Sequence, residues 1–518
     1  MEQKHFYITT PIYYVNDKPH LGHTYTTVAC DVLARFKRLD GYNVKFLTGT
    51  DEHGLKIKQA AEKAGTDPQE FTDQVSQNFR DLIGLMNYSN DDFIRTTEDR
   101  HKRAVQALWN ELVARDEIYL DKYAGWYAVR DEAYYGEDEL RDGPNGTKIA
   151  PSGAEVQWVE EESYFFRLSK WGDKLMEYYA SHPDFVMPEG RFNEVKSFVK
   201  SGLKDLSVSR TTFDWGVKVP NNEKHVMYVW IDALTNYITA LGYPEKTDEM
   251  KNFWPEAIHM VGKDILRFHA IYWPAFLMAA ELPLPKRIFA HGWWTIEGEK
   301  MSKSLGNVIA PHDLISTYGL DQSRYFMLRE VPFGSDGDFS HEQAINRINA
   351  DLANGLGNLV QRTLSFIYKN CDATIHGTVQ SKLNQDDAEF LSKSSMKFLY
   401  ENVKPYMDQQ RFDRALEVIM QAVYAANAYI DKEAPWSLKK TDIDRMNTVL
   451  YNLCIAMKSI ALLLQPFMPE SSSKILDQLS VPADERTFAF MSNEIPAGTK
   501  ISEPKGIFPR IQPAEKAA

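Results

Sequence analysis

The N-terminal stretch changes its hydrophobic period twice in quick succession, and this constrains the fold more than any other feature. Phe6-Tyr7-Ile8-Thr9-Thr10 is rich in β-branched and aromatic residues, which reads as a short buried strand. A loop with Pro11, Asn16-Asp17 and Pro19 follows. A helix then begins near Gly22, with Val28, Val32, Leu33 and Phe36 on one face. Val44-Lys45-Phe46-Leu47-Thr48 is a second strand, leading through Gly49-Thr50-Asp51-Glu52-His53-Gly54 into another helix. The order strand–loop–helix–strand–loop–helix predicts an α/β fold of Rossmann type. Its doubly wound parallel sheet carries ligands at the carboxyl ends of the strands.

At 518 residues the chain is too long for one core, and length alone suggests about three domains. Residues 116–214 differ from what precedes them. They hold short aromatic strands (Gly125-Trp126-Tyr127-Ala128-Val129) and the turn-rich Asp142-Gly143-Pro144-Asn145-Gly146, as expected of a small inserted α+β domain. The sheet pattern resumes with Val226-Met227-Tyr228-Val229-Trp230 and Ile258-His259-Met260-Val261-Gly262. Beyond Asn346 the periodicity is helical, over 350–369, 386–409, 412–431 and 443–464, and predicts an all-α bundle. The expected boundaries are 1–115 and 215–297 for the two halves of the sheet domain, 116–214 for the insertion, 298–345 for a loop and connecting region, 346–480 for the bundle, and 481–518 for a Pro-rich tail.

The net charge of −13 excludes a nonspecific nucleic-acid coat protein, because such binding neutralises phosphates with a basic surface. Any RNA would have to meet a local basic face. Cys30, Cys371 and Cys454 are far apart, so neither a disulfide framework nor a cysteine metal knuckle is expected, and a reducing cytoplasmic compartment fits. The start of the chain lacks a signal-peptide pattern. The apolar stretch 460–464 is too short to span a bilayer, so no membrane partner is expected.

His20-Leu21-Gly22-His23 falls at a strand-to-helix junction. Glycine there admits a close planar group, a helix N-terminus favours an anion, and two histidines can hydrogen-bond phosphate oxygens. Alone, the pattern is equally a turn with two surface histidines. Lys300-Met301-Ser302-Lys303-Ser304 lies between Gly298-Glu299 and Gly306-Asn307, in a loop. Two lysines and two hydroxyls in five residues suit a polyphosphate clamp that stabilises charge on departing pyrophosphate. The bland alternative, a solvated charged loop, does not account for this pattern following His-x-Gly-His.

The two motifs in this order resemble the class I aminoacyl-tRNA synthetases, and from about Phe6 to Trp436 the chain is similar to their methionine-specific branch. The resemblance implies a ligase that forms methionyl-adenylate from L-methionine and ATP with Mg²⁺, then transfers methionine to tRNA(Met) bearing a CAU anticodon. It implies catalytic roles for His20, His23, Lys300 and Lys303, and ATP binding by these with Gly22, Gly262, Lys263, Asp264 and Ser302. Asp51 matches the carboxylate that takes the substrate ammonium, although an aspartate before Gly54 could equally cap a helix. A methionine pocket is implied at Ile12, Tyr14, Val229, Trp230, Ala233, Leu234, Tyr237, Ile265, Phe268, His269, Tyr272 and Trp273. An aromatic stripe at this spacing usually means core, but a thioether also suits aromatic walls.

Departures from the family pattern are informative. Relatives specific for isoleucine, valine and leucine carry a large editing insertion, for which the insertion here has no room. Methionine enzymes commonly bind zinc through Cys-x-x-Cys in this insertion. Ala128 and Asp131 stand at those positions, so no metal is expected and the knuckle should hold by packing and hydrogen bonds. Asn354, Asn358 and Arg362, spaced four apart, should share a helix face. Asn358 and Arg362 match anticodon-reading positions and Trp436 matches a stacking residue, a set suited to unstacked loop bases. On a helix such residues are otherwise a solvated face. A monomer is expected, since no appended dimerising domain follows. Three other readings compete: a nucleotidyltransferase sharing His-x-Gly-His chemistry, a silent tRNA-binding protein, and a synthetase for another amino acid.

Overall fold

The computed structural model describes residues 3–15, 18–131, 133–301 and 306–512. The chain divides into two compact units, one of residues 1–4, 20–44 and 292–518, the other of residues 5–19 and 45–291.

The second unit is built on the expected sheet. Strand β1 (His5–Thr9) is buried in its last four residues, as its unbroken run of Phe, Tyr, Ile and Thr requires when both faces are covered. Across the sheet the order is Val186–Met187, Arg287–His291, Ala257–Gly262, β1, β3 (Asn43–Asp51) and β2 (Tyr13–Tyr14), with Asp92–Arg95 also paired to β3. Ile8 pairs with Ile258 and Thr9 with His259 in parallel register. Tyr14 pairs with Asp51, again parallel, so the carboxyl ends of β2 and β3 meet. The inserted region forms its own antiparallel sheet around a long hairpin, Ile118–Ala128 with Glu155–Phe166.

Two sequence expectations fail here. Val226–Met227 pairs antiparallel with Ser209–Arg210 and lies outside the parallel sheet. The backbone N–H groups of Met227 and Tyr228 go to Val217 and Val208, and the chain turns helical at Val229. The helix Val229–Thr239 is buried on almost every side, so its sequence lacks the polar face that distinguishes a helix from a strand. The segment after Gly262 is not one regular helix either. A tight turn, Lys263–Ile265, leads to a π-helical stretch, Phe268–Tyr272, and then to the α-helix Trp273–Ala279. Pro274 has no N–H to continue an α-helical ladder, and the wider turn absorbs that loss.

In the first unit, helix α1 (Leu21–Leu39) buries Val28, Val32, Leu33 and Phe36 as expected. Its buried Asp31 accepts a 2.6 Å hydrogen bond from the equally buried Arg324, which also donates to the carbonyls of Pro466 and Phe467, each at 3.0 Å. The bundle contains Phe412–Glu433 and Ile443–Leu464, close to expectation. The predicted helix over 386–409 is two, Gln385–Ser394 and Met396–Asp408, broken by extended Ser395. The predicted helix over 350–369 is π-helical over Asn349–Gly357 and α-helical over Asn358–Asn370. Helix Ile443–Leu464 is long and apolar enough to cross a bilayer, contrary to the reading from 460–464 alone. Some 89% of its most apolar window is buried in the protein, so core packing accounts for its composition. The tail is ordered as far as described. Thr499–Lys500 pairs with Thr374–Ile375, and Asn349 exchanges two 2.8 Å hydrogen bonds with the backbone of Ile511.

Candidate active site

Helix α1 opens on a mutual cap made by two histidines. The Gly22 N–H donates to His20 Nδ1 at 3.1 Å, and the His20 N–H donates to His23 Nδ1 at 3.2 Å. A Cβ on Gly22 would lie 3.0 Å from the His20 ring, so glycine lets that ring fold over the helix start. Each Nδ1 accepts, which leaves the ring proton on Nε2. Burial lowers the pKa of His20, and burial together with the neighbouring His20 takes His23 well below the usual range. Both are therefore neutral donors at pH 7, set at the positive end of a 19-residue helix. In the same unit Lys300 is exposed at the end of the strand Glu299–Lys300, with its ammonium 5.3 Å from the Trp293 ring centre. Ser302 and Lys303, like Ser304, lie outside the described residues.

The second unit holds the residues predicted for the amino acid. Asp51 is the buried last residue of β3. The N-cap of the following helix, Leu55–Ala64, is Gly54 at φ 112° with no side-chain cap, so Asp51 is not spent on capping. Its neighbours are held hard. The Glu52 carboxylate accepts a two-pronged contact from Arg95 at 2.7 and 2.9 Å and hydroxyl bonds from Thr50 and Thr97. His53 Nδ1 meets Asp232 Oδ2 at 2.6 Å, and His101 Nε2 meets the other oxygen at 2.8 Å. Burial alone would raise the Asp232 pKa, but the two imidazoles overcome it and bring it to about 2. Asp232, His53 and His101 were missed as functional candidates in the sequence. The available signal was a lone carboxylate inside the apolar run Val229-Trp230-Ile231-Asp232-Ala233.

The aromatic residues come together as predicted from two segments. Trp230 and Phe268 stack at 3.7 Å between ring centres, 7° from parallel. His269 Nδ1–H donates to the Ile265 carbonyl at 3.0 Å, so Nε2 accepts the Tyr237 hydroxyl at 2.7 Å. Burial lowers the His269 pKa to about 4, in keeping with that neutral tautomer. Tyr237 in turn stacks on His259 at 4.0 Å. Val229, Trp230, Ile265, Phe268 and Tyr272 are half-buried, as a wall open to a ligand must be, whereas Ala233, Leu234 and Trp273 are buried in the core behind them. Ile12 packs with this cluster, while Tyr14 packs with a smaller one around Tyr13, Val15, Ile57 and Phe79. Gly262 ends its strand with the side chain of exposed Asp264 folded over it, so close that a Cβ would sit 2.5 Å from Asp264 Oδ1. Lys263 is half-buried beside it.

At the tip of the insertion, Asp131 accepts hydrogen bonds from Tyr135 and Ser152, and Arg130 donates to the Ser152 carbonyl at 2.5 Å. Ala128 packs with Ala150, Ala154 and Val156. Among the described residues no group of three or more His, Cys, Asp and Glu side chains could hold a metal ion.

On the bundle, Arg362 donates to Asp431 at 2.6 Å and lies 5.4 Å over the ring of Trp436, which is 43% exposed. Arg362 and Trp436 line a groove of about 280 Å³ with Phe366, Ile430 and Pro435. Asn354 and Asn358 line a different groove of about 430 Å³, whose other wall is Gly506, Ile507 and Phe508. The single face expected for Asn354, Asn358 and Arg362 is thus divided between two grooves, and the break falls between Asn358 and Arg362, within the α-helix Asn358–Asn370. The tail as a wall was not foreseen.

A parallel doubly wound sheet in one unit, and in the other a helix opening on His20-Leu21-Gly22-His23 together with a helical bundle, are the parts of a class I aminoacyl-tRNA synthetase. A family model described as tRNA synthetases class I (M) matches residues 6–364, and one described as the anticodon binding domain of methionyl tRNA ligase matches residues 381–518. The methionine–tRNA ligase of Rickettsia conorii is 57% identical over 510 residues, covering 98% of this chain and 99% of its own. That of Brucella suis is 54% identical over 517 residues, covering all of both chains. Among solved structures, Mycobacterium tuberculosis methionyl-tRNA synthetase in complex with methionyl-adenylate superposes with a TM-score of 0.95 at 48% identity, covering 98% of this chain and 100% of that one. Its free form gives a TM-score of 0.89 at 45% identity, covering 99% of each chain. The chain belongs to the methionine–tRNA ligases: it activates methionine with ATP and transfers it to tRNA.

Proposed function

We propose the following division of labour among its residues. In the first step a methionine carboxylate oxygen attacks the α-phosphorus of ATP, the bond to the β-phosphate oxygen breaks, and pyrophosphate leaves with that electron pair. A carboxylate is already nucleophilic, so alignment and charge stabilisation do most of the work. His20 and His23 donate Nε2–H to phosphate oxygens, Gly22 keeps the approach open, Lys300 and Lys303 neutralise the departing pyrophosphate, and Ser302 donates a hydrogen bond to it. Gly262, Lys263 and Asp264 take the ribose side. These donors suit phosphate and hydroxyl groups and contain a single carboxylate, so Mg²⁺ belongs to the ATP substrate complex and not to a resident site.

Asp51 takes the methionine ammonium, since a buried ammonium needs a charged partner. Trp230, Phe268, Tyr237, His269, Tyr272, Ile265, Val229, Ile12 and Tyr14 surround the side chain, with Ala233, Leu234 and Trp273 supporting them. The observation that carries this reading is the Trp230–Phe268 stack beside the Tyr237–His269 hydrogen bond: a polarizable wall in which Tyr237 and His269 are already bonded to one another. In the second step the terminal ribose hydroxyl of tRNA attacks the anhydride carbonyl and AMP leaves. Asn358, Arg362 and Trp436 read the CAU anticodon of tRNA(Met). The knuckle holds without zinc, supported by the hydrogen bonds of Asp131. The protein acts as a cytoplasmic monomer, and its buried, reduced cysteines suit that compartment. The catalytic domain spans 1–115 and 215–297 and takes the strand Val186–Met187 into its sheet, the rest of 116–214 is the insertion, and the anticodon-binding domain is 346–480.

The clamp is tested with Lys303→Ala. Adenylate formation should fall by about a hundredfold or more while methionine binding is nearly unchanged. Equal losses in both would sink the assignment.

A further inference from the structure

Asp51 sits in a turn whose next two residues are locked to different parts of the same unit. Glu52 is tied through Arg95 and Thr97 to the strand Asp92–Arg95 and the residues after it. His53 is tied to Asp232, in the first turn of the helix Val229–Thr239, which also carries Trp230, Ala233, Leu234 and Tyr237. The turn has further anchors. Trp215 Nε1–H donates to the Glu52 carbonyl at 2.6 Å, and the Gly54 N–H donates to the Trp215 carbonyl at 3.2 Å. Asp232 and His101 are fully buried, His53 nearly so, and each Asp232 oxygen has its own imidazole.

A buried carboxylate with two imidazoles is a poor way to gain stability. Its desolvation cost is large, and apolar packing of equal volume commonly does as well. What such a pair supplies is register, because its hydrogen bonds are short and directional where aliphatic contacts slide. Here the register is between a turn and a helix, and each of them carries one half of the proposed amino-acid site.

We propose that Asp232 is a positioning residue for amino-acid selection. Through His53 it holds the Asp51 carboxylate at a set distance from the aromatic wall of Trp230 and Tyr237, so that only an amino acid of methionine's length spans both. The proposal rests on the assignment of Asp51 to the substrate ammonium. Asp232 touches no reacting atom. It acts on the spacing between two binding points, and spacing discriminates chain length in a way that an apolar pocket alone does poorly, since one methylene is worth little there.

The test is ATP–pyrophosphate exchange by Asp232→Asn, with L-methionine and with S-methyl-L-cysteine, which is one methylene shorter. The expected result is a methionine KM raised by about tenfold, as loss of a charged hydrogen bond would give. The ATP KM should stay as it was, and the preference for methionine over S-methyl-L-cysteine should shrink. A residue that only stabilises the fold would lower the rate with both amino acids by one factor and leave the preference intact; that outcome overturns the proposal. If Asp232→Asn does not fold, His53→Gln breaks the same link and carries the same expectations. Asp51→Asn separates the two assignments. A raised methionine KM in Asp51→Asn with an unchanged preference in Asp232→Asn overturns the proposal alone, whereas an unchanged KM in Asp51→Asn removes the ammonium assignment and the proposal with it.

Discussion

Under the proposed assignments, the amino-acid cluster of the second unit and the Arg362–Trp436 face of the bundle would meet their ligands in opposite ways. In the first, Asp51, Tyr237 and His269 are at most 8% exposed, and Tyr237 and His269 satisfy one another before any ligand arrives. In the second, Trp436 is 43% exposed, and Arg362 is held over it by an ion pair with the exposed Asp431. The difference follows from the ligands. Methionine offers few atoms, so its site has to be dry and its polar groups placed in advance. An anticodon base brings its own π-face and stays partly wet, so a platform oriented from behind is enough.

The comparison breaks most visibly at Asp51. Asp51→Ala leaves the substrate ammonium without its partner, and kcat/KM for methionine in exchange should fall by about a hundredfold or more. A loss of only a fewfold would mean that the buried cluster does not bind charge. The next effect is on stability against pH. The Asp232 pKa is about 2, below its ordinary 3.8, so its contribution is complete above pH 4 and disappears as the pH falls through 2. This amounts to on the order of 2 kcal/mol. His269, at about 4, stays neutral in the fold while the unfolded chain takes up a proton below its ordinary 6.5, so stability also declines from pH 6.5 towards 4. Urea denaturation at pH 7, 5 and 3 checks both, and a flat profile would contradict both the imidazole pairing of Asp232 and the burial of His269. The smallest effect is on the exposed face. Arg362→Lys keeps the charge but loses the planar group over Trp436, and kcat/KM for tRNA should drop by about tenfold with exchange unaltered.

Much of this was legible before the structure, for reasons visible in particular residues. Helix Ile443–Leu464 was bounded correctly because its apolar periodicity is long and unbroken. The opening of the sheet was clear because the period changes sharply between Thr10 and Val28. Where a helix is buried over most of its length the pattern lost its meaning: Val229 and Trp230 read as continuing a strand but open the helix Val229–Thr239, whose residues 231–239 are all buried. Local periodicity could not show the π-helical turns at Phe268–Tyr272 or Asn349–Gly357, since the first depends on a single proline and the second breaks no pattern. The site residues read from motifs were those with an unusual local arrangement, such as His20 and His23. Asp232 escaped because its partners, His53 and His101, are 179 and 131 positions away in the chain. No local pattern carries such a contact. The wall made by Gly506–Phe508 escaped for the same reason.

The claim that activation belongs to the buried cluster and tRNA reading to the exposed face is tested most directly on Trp436→Ala, by measuring exchange and tRNA charging side by side. Loss of one stacked base is worth about 1–3 kcal/mol, so kcat/KM for charging should fall by roughly tenfold to a hundredfold. Methionine-dependent ATP–pyrophosphate exchange should stay within about twofold of the parent, because surface changes of this kind move stability by little. If exchange falls as far as charging, Trp436 supports the fold and not the RNA, and the contrast between the two regions fails.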